Sequence, residues 1–242
     1  MLGLGSSLAL GGAPSEWTIL ETSPELWLKF NTGQTTPDID DDGDTDILWA
    51  DQSGNGNDCT GGNSVSGILD TKQGSFVSGN WVPGDNADFL NCSEEITLTN
   101  GYTIFMVFTY AGNKDTFIGG SSTSDFMRFA QGGNVNKFRS KHGGVTNDII
   151  FDINPTTGTC MWKISRNADG DELTITQNTT TLIMDAATVS TNPFDVDRVP
   201  AGSYGLVGGI VGEVVVYDRV VTDAESALIE ADILERNSLT AD

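Results

Sequence analysis

The residues with the clearest chemical potential are carboxylates. Asp38-Ile-Asp40-Asp41-Asp42-Gly43-Asp44-Thr-Asp46 sets acidic side chains at alternate positions around one glycine. Oxygen donors at loop positions 1, 3, 5, 7 and 9 with glycine at 6 make up the first half of a calcium loop. The glycine permits the sharp turn that lets the carboxylates converge. Position 12, where such loops carry a bidentate Glu, is Trp49, so Asp51 or Asp58 would have to complete the set. Eight Asp and no Lys or Arg lie between Asp38 and Asp58, and without a cation they repel one another. Two readings stand: a calcium site built on Asp38, Asp40, Asp42, Asp44 and Asp46, or an acidic loop that is simply solvated.

A second carboxylate series, Glu230-Ala-Asp232-Ile-Leu-Glu235, has the E-x-D-x-x-E order of some β-sandwich glycosidases. Its surroundings have helical periodicity, and five residues along a helix turn through about 140°, so Glu230 and Glu235 cannot converge on one bond. These are read as solvated helix carboxylates. His142 is the only histidine and precedes Gly143-Gly144, which suggests a surface turn. No nucleophile motif accompanies it, and a triad needs several placed partners. Cys59, Cys92 and Cys160 are odd in number and match no metal-ligand spacing, so they read as small buried residues without a disulfide framework. Arg128, Lys137, Arg139 and Lys141 gather four of the twelve basic residues on one expected hairpin, either a docking face for an acidic partner or local charge compensation. Trp27, Trp81 and Tyr204 are candidates for stacking on sugar rings, with core packing as the default.

The elements that must position these residues are mostly strands. Expected strands cover Trp17–Leu20, Leu26–Phe30, Ile47–Ala50, Tyr102–Tyr110, Asp125–Ala130, Val135–Ser140, Ile149–Ile153, Cys160–Ile164, Leu173–Thr176, Thr181–Met184 and Gly209–Tyr217. The nine residues Tyr102–Tyr110 are aromatic and β-branched throughout, as in a strand buried on both faces. Thr222-Asp-Ala-Glu225 reads as a capping box. The helix it opens would place Ala224, Leu228, Ala231 and Leu234 on one stripe. Many short strands punctuated by turns, closed by one short helix, predict an all-β antiparallel sandwich.

Composition narrows the function. With 12 basic and 34 acidic residues the formal charge is −22, which repels nucleic-acid backbones and anionic membranes. No window reaches the roughly 18 apolar residues of a membrane span. Met1–Pro14 lacks the basic start of a signal peptide, so residues 1–15 are expected to be a flexible N-terminal arm and 16–242 a single domain.

Trp49-Ala-Asp51-Gln-Ser53-Gly54-Asn55-Gly-Asn57 resembles the W-x-D-x-S-G-x-x-N/H turn of the concanavalin A-like, laminin-G-like superfamily. Gly101–Phe108 is similar to its central strand. Arg166–Gly170 followed by Leu173–Ile175 is similar to one of its hairpins, and Gly212–Arg219 with Thr222–Glu225 to its terminal strand and helix. The resemblance runs in order from 26 to 236 and implies a two-sheet jelly roll with frequent calcium sites and frequent glycan or protein binding. The opening MLGLGSSLALGG, the run Leu26–Gly33 and the Trp49 turn look most like versions in tailed-phage virion proteins. That likeness implies a non-enzymatic virion structural protein, a capsid-decoration or tail/fibre-associated module. It would be a homo-oligomer in the particle, contacting other virion proteins through its arm. The alternative is a calcium-assisted carbohydrate-binding module that recognises surface polysaccharide, with a host-surface glycan as partner. Neither reading involves nucleic acid, a membrane or catalysis.

Overall fold

The computed structural model describes residues 18–39, 46–63, 75–83, 88–110, 116–129, 137–152, 155–183, 189–199 and 209–241. A 3-10 turn, Ile19–Thr22, precedes β1 (Leu26–Leu28), β2 (Gln34–Thr35), β3 (Leu48–Trp49), β4 (Cys59–Asn63), β5 (Ser75–Val77), β6 (Asn80–Val82) and β7 (Asp88–Leu98). Then follow β8 (Tyr102–Tyr110), β9 (Thr116–Gly119), β10 (Phe126–Phe129), β11 (Lys137–His142), β12 (Val145–Ile150) and β13 (Gly158–Arg166). The chain closes with β14 (Leu173–Gln177), β15 (Thr180–Ile183), β16 (Phe194–Val199), β17 (Val211–Tyr217) and α1 (Asp223–Arg236).

Among the described residues these strands form two antiparallel sheets. One runs β15-β14-β13-β8-β17-β6-β5 with β1 also paired to β17, and the other runs β12-β11-β10-β9-β16-β7-β4-β3-β2. The expected all-β sandwich with one C-terminal helix is the observed architecture. Strand periodicity sorts β8 cleanly. Tyr102, Ile104, Met106, Phe108 and Tyr110 enter the core between the sheets, while Phe105 and Val107 enter a second core on the outer face. Phe108, Phe117, Phe129 and Trp162 join the sheets, with Phe129 and Trp162 ring centroids 4.5 Å apart.

α1 covers the second core, which is why β8 and β17 are apolar on both sides. The expected capping box is present: the Thr222 hydroxyl accepts from the Glu225 amide, and the Glu225 carboxylate accepts from the Thr222 amide. The buried stripe is Ser226, Ile229, Ile233 and Leu234. Of the four residues expected on it only Leu234 is buried, and Leu228 is 48% exposed. Large β-branched side chains, rather than alanines, select the face because they bury more apolar area.

Three further expectations are corrected. The strand expected at Trp17–Leu20 is a 3-10 turn in its described part. Cys59 and Cys92 lie opposite each other on β4 and β7, Cα atoms 4.0 Å apart, and form a disulfide, leaving Cys160 as the free, buried cysteine. Direct cross-strand pairing, invisible to a parity count, brings them together. His142 is the last residue of β11 and wholly buried. The turn begins one residue later, at Gly143 and Gly144, whose φ values of 50° and 87° suit the left-handed corner of a β11–β12 hairpin.

Candidate functional site

The Trp49 motif is a local scaffold. Asp51 Oδ1 accepts from the backbone N–H groups of Trp27 and Ser53, and Oδ2 accepts from the Ser53 hydroxyl and the Asn57 N–H. Asp58 in turn accepts from the Asp51 N–H, and the Trp49 indole donates to the Lys29 and Thr32 carbonyls. The Gln52 N–H donates to the Trp27 carbonyl at 2.8 Å. These bonds tie the turn to β1 and present Gln52 beside Trp27 and Lys29. Asp51 thus accepts two bonds on each oxygen from the turn and β1.

The opposite wall comes from the end of α1. Glu213 on β17 is wholly buried, and a buried charge must be paired and hydrogen-bonded. It accepts from the Trp27 indole at 2.8 Å, from Arg236 Nη2 at 2.8 Å and Nε at 3.1 Å, and from Asn237 Nδ2 at 2.8 Å. Arg236 Nη1 reaches Asp232 at 2.8 Å. Burial pulls the Arg236 pKa down, but the bonds and charges of Glu213 and Asp232 outweigh it and hold the guanidinium above its ordinary value.

Between these walls lies a cleft of about 470 Å³, lined by Thr18, Leu20, Trp27, Lys29, Gln52, Asp232, Glu235 and Arg236. That volume is the size of a small-ligand site. Trp27 is only 3% exposed; the Lys29 ammonium lies 4.8 Å and the Arg236 guanidinium 5.6 Å from its ring centroid. The wall of this cleft is therefore polar, with the Lys29 ammonium, two carboxylates and the Gln52 amide, whose nitrogen also donates to the Ala50 carbonyl at 3.0 Å, and it presents no open aromatic face. Asp232 and Glu235, read from sequence as solvated carboxylates, line it. Glu230 instead bonds Lys163 at 2.7 Å on the sheet.

The residues singled out in the sequence lie elsewhere. Asp46 is buried, its Oδ2 accepting from the Ile39 N–H at 2.7 Å, next to Asp38 at the start of the acidic run. Asp40, Asp42 and Asp44 lie outside the described residues, as do the arm at 1–15, Tyr204 and the Trp81 side chain. Among the described residues no group of three or more His, Cys, Asp or Glu side chains is placed to hold a metal.

Arg128 on β10 is the cross-strand partner of Arg139 on β11, and Lys137 and Lys141 share the Arg139 face. Arg139 grips Asp148 with two bonds, of 2.5 and 2.8 Å, Lys137 reaches the same carboxylate at 3.5 Å, and Lys141 donates to the Thr123 carbonyl at 2.6 Å. The Arg139 bond, with Lys137 adding to it, holds Asp148 below its ordinary pKa. Arg128 is nearly buried, its guanidinium 4.9 Å from the Phe126 ring centroid.

His142 belongs to a closed cluster. Its Nε2 is 3.3 Å from the Tyr102 hydroxyl and its Nδ1 3.3 Å from Arg166 Nη1, which donates to the Ser190 and Asn192 carbonyls at 2.5 and 2.9 Å. Burial first, then the Arg166 charge, depresses its pKa to about 4, against a weaker opposing bond from the Ser190 carbonyl. Among the described residues the ring's polar neighbours are Tyr102, Arg166 and the Ser190 carbonyl.

No protein-family model matches the chain, and no curated protein matches its sequence. Solved structures with the same fold include the binding domain of botulinum neurotoxin DC in complex with rat synaptotagmin II, at TM-score 0.58 and 9% identity over 88% of this chain. The botulinum neurotoxin serotype D ligand-binding domain in complex with N-acetylneuraminic acid matches at 0.56 and 10% identity over 89%. A Trypanosoma rangeli sialidase matches at 0.54 and 10% identity over 91%. The chain spans 52% and 53% of the two neurotoxin domains and 34% of the sialidase. At these identities the likeness establishes a shared β-sandwich fold.

Proposed function

We propose that the protein is a non-catalytic carbohydrate-binding module and that the cleft between the Gln52 turn and the end of α1 is its sugar site. The observation that carries this is the polar wall of a ligand-sized cleft: the Lys29 ammonium, the Gln52 amide and the Asp232 and Glu235 carboxylates face one space. Sugar hydroxyls donate and accept at once, and such a mixed set matches them. The neurotoxin and sialidase neighbours support the reading, since several were solved with sialic acid or sialylated ligands. They reverse the order reached from sequence, favouring the carbohydrate-binding alternative over virion decoration.

The side-chain commitments around the cleft support a non-catalytic reading. Most glycoside hydrolases need an acid and a second carboxylate flanking one bond. Here Asp232 and Glu213 are bound to Arg236, and Glu230 to Lys163. A glycan array probed with the wild-type chain and with Gln52→Ala and Glu235→Ala tests the proposal. Saturable binding that both variants weaken, without release of reducing sugar, is expected; no binding to any saccharide refutes it.

Two finer readings rest on sequence. Calcium in the loop from Asp38 to Asp46 would make binding chelator-sensitive; a calorimetric titration without heat and a chelator-independent melting temperature remove it. A place on a tailed-phage particle is what the resemblance of residues 1–12, Leu26–Gly33 and the Trp49 turn implies. Finding the chain in purified particles supports that location, and its absence from them refutes it.

A further inference from the structure

The charge arrangement of the cleft selects among sugars. Among side chains, a guanidinium free to form two parallel bonds holds a carboxylated sugar best. Arg236 is not free: Nε and Nη2 are bonded to Glu213 and Nη1 to Asp232. Lys29 is the one lining cation with no carboxylate partner among the described residues, and its ammonium rests near the Trp27 ring. Against it stand Asp232 and Glu235, on a chain of formal charge −22. An incoming carboxylate meets the Glu235 charge, an Asp232 carboxylate shared with Arg236, and one uncommitted opposite charge, in a field that is negative overall. An uncompensated like charge such as Glu235 at the edge of such a site lowers affinity by about tenfold. An uncharged sugar meets a favourable set: Glu235 and the second Asp232 oxygen accept from hydroxyls, while Lys29 donates to ring or hydroxyl oxygens.

We infer that the cleft takes neutral saccharides and discriminates against sialylated or uronic-acid ligands, in contrast to the sialic acids bound to its fold neighbours. The inference rests on the carbohydrate reading above. The test uses the full chain and isothermal titration with two trisaccharide sets, one of neutral hexoses and one capped by N-acetylneuraminic acid on the same core. Neutral ligands are expected to bind, and the acidic cap to weaken them by about tenfold or more at low salt, less at high salt. Glu235→Lys, at an exposed helix position and with its fold checked by near-ultraviolet circular dichroism, is expected to shrink or reverse that ratio; Glu235→Gln should move it part of the way. Equal or tighter binding of the capped set, abolished by Lys29→Ala, would overturn the selectivity and leave the sugar site standing. Binding of neither set, or binding indifferent to Lys29→Ala and Gln52→Ala, would overturn both.

Discussion

Lowering the pH should unfold this protein partly through a single side chain. His142 is wholly buried beside the Arg166 guanidinium, and its pKa falls from 6.5 to about 4. Between these values the unfolded chain carries the proton and the folded chain does not, so stability is lost as pH falls below the unfolded value. The loss amounts to about 2 kcal/mol between pH 7 and pH 5 and about 3 kcal/mol by pH 3, where the folded imidazole also protonates. Other groups titrate in the same range with mixed sign. Burial chiefly raises Asp125, and the Asp195 charge chiefly raises Glu95, so both favour the folded state in acid. The Arg219 bond holds Glu225 at about 2, which favours it at neutral pH. The His142 share is therefore read as a difference. Urea unfolding of the wild type and of His142→Gln at several pH values gives two stability curves, and their separation should shrink by about 2 kcal/mol from pH 7 to pH 5. The absolute cost of the substitution drops out of that comparison. Parallel curves would show that His142 titrates normally in the folded state and would refute its burial against Arg166.

Three further outcomes follow from the same structure. Glu213→Ala strands the Arg236 guanidinium and the Trp27 indole N–H and should cost about 3–5 kcal/mol in urea unfolding, whereas a loss under about 1 kcal/mol would contradict the buried pairing. Replacing both Cys59 and Cys92 by Ala should lower stability by about 2–4 kcal/mol, given their sequence separation of 33. Thiol titration of the unreduced, denatured wild type should find one free thiol; three would exclude the disulfide. Thr222→Ala removes the N-cap acceptor of α1 and should cost about 1 kcal/mol, read from the shift in urea midpoint, with no shift counting against the cap.

The sequence carried the strands whose two faces are both apolar, because runs such as Tyr102–Tyr110 and Val211–Tyr217 admit no other reading. The Thr222–Glu225 cap was equally plain. β7 was not, since Ser93, Glu94 and Glu95 interrupt its alternation where its face turns to solvent. The face of α1 was misjudged because alanine counts as apolar in a periodicity argument yet contributes little buried area beside Ile229 and Ile233. His142 was misplaced by one residue of turn register, and the disulfide was hidden by the third cysteine.

Of the cleft, the sequence pointed only to Trp27, as a stacking ring that its burial does not leave open. The cleft's walls lie about 180 residues apart in sequence, and the pin that joins them, Glu213, sits inside Gly-Glu-Val-Val-Val as an apparent interruption of a strand. In the Trp49 motif, by contrast, the side chains with the strongest chemical signature, Asp51 and Asp58, serve the backbone. They leave the less conspicuous Gln52 to face the ligand-sized space.

The most direct measurement is nuclear magnetic resonance mapping of the isotope-labelled protein during titration with a neutral trisaccharide. Shift changes should centre on Lys29, Gln52 and the last turn of α1, including the Trp27 indole N–H held by Glu213. Changes confined to another surface, such as the β10–β11 basic face or the Asp38–Asp46 loop, would contradict the placement of the site, and a silent spectrum would contradict sugar binding itself.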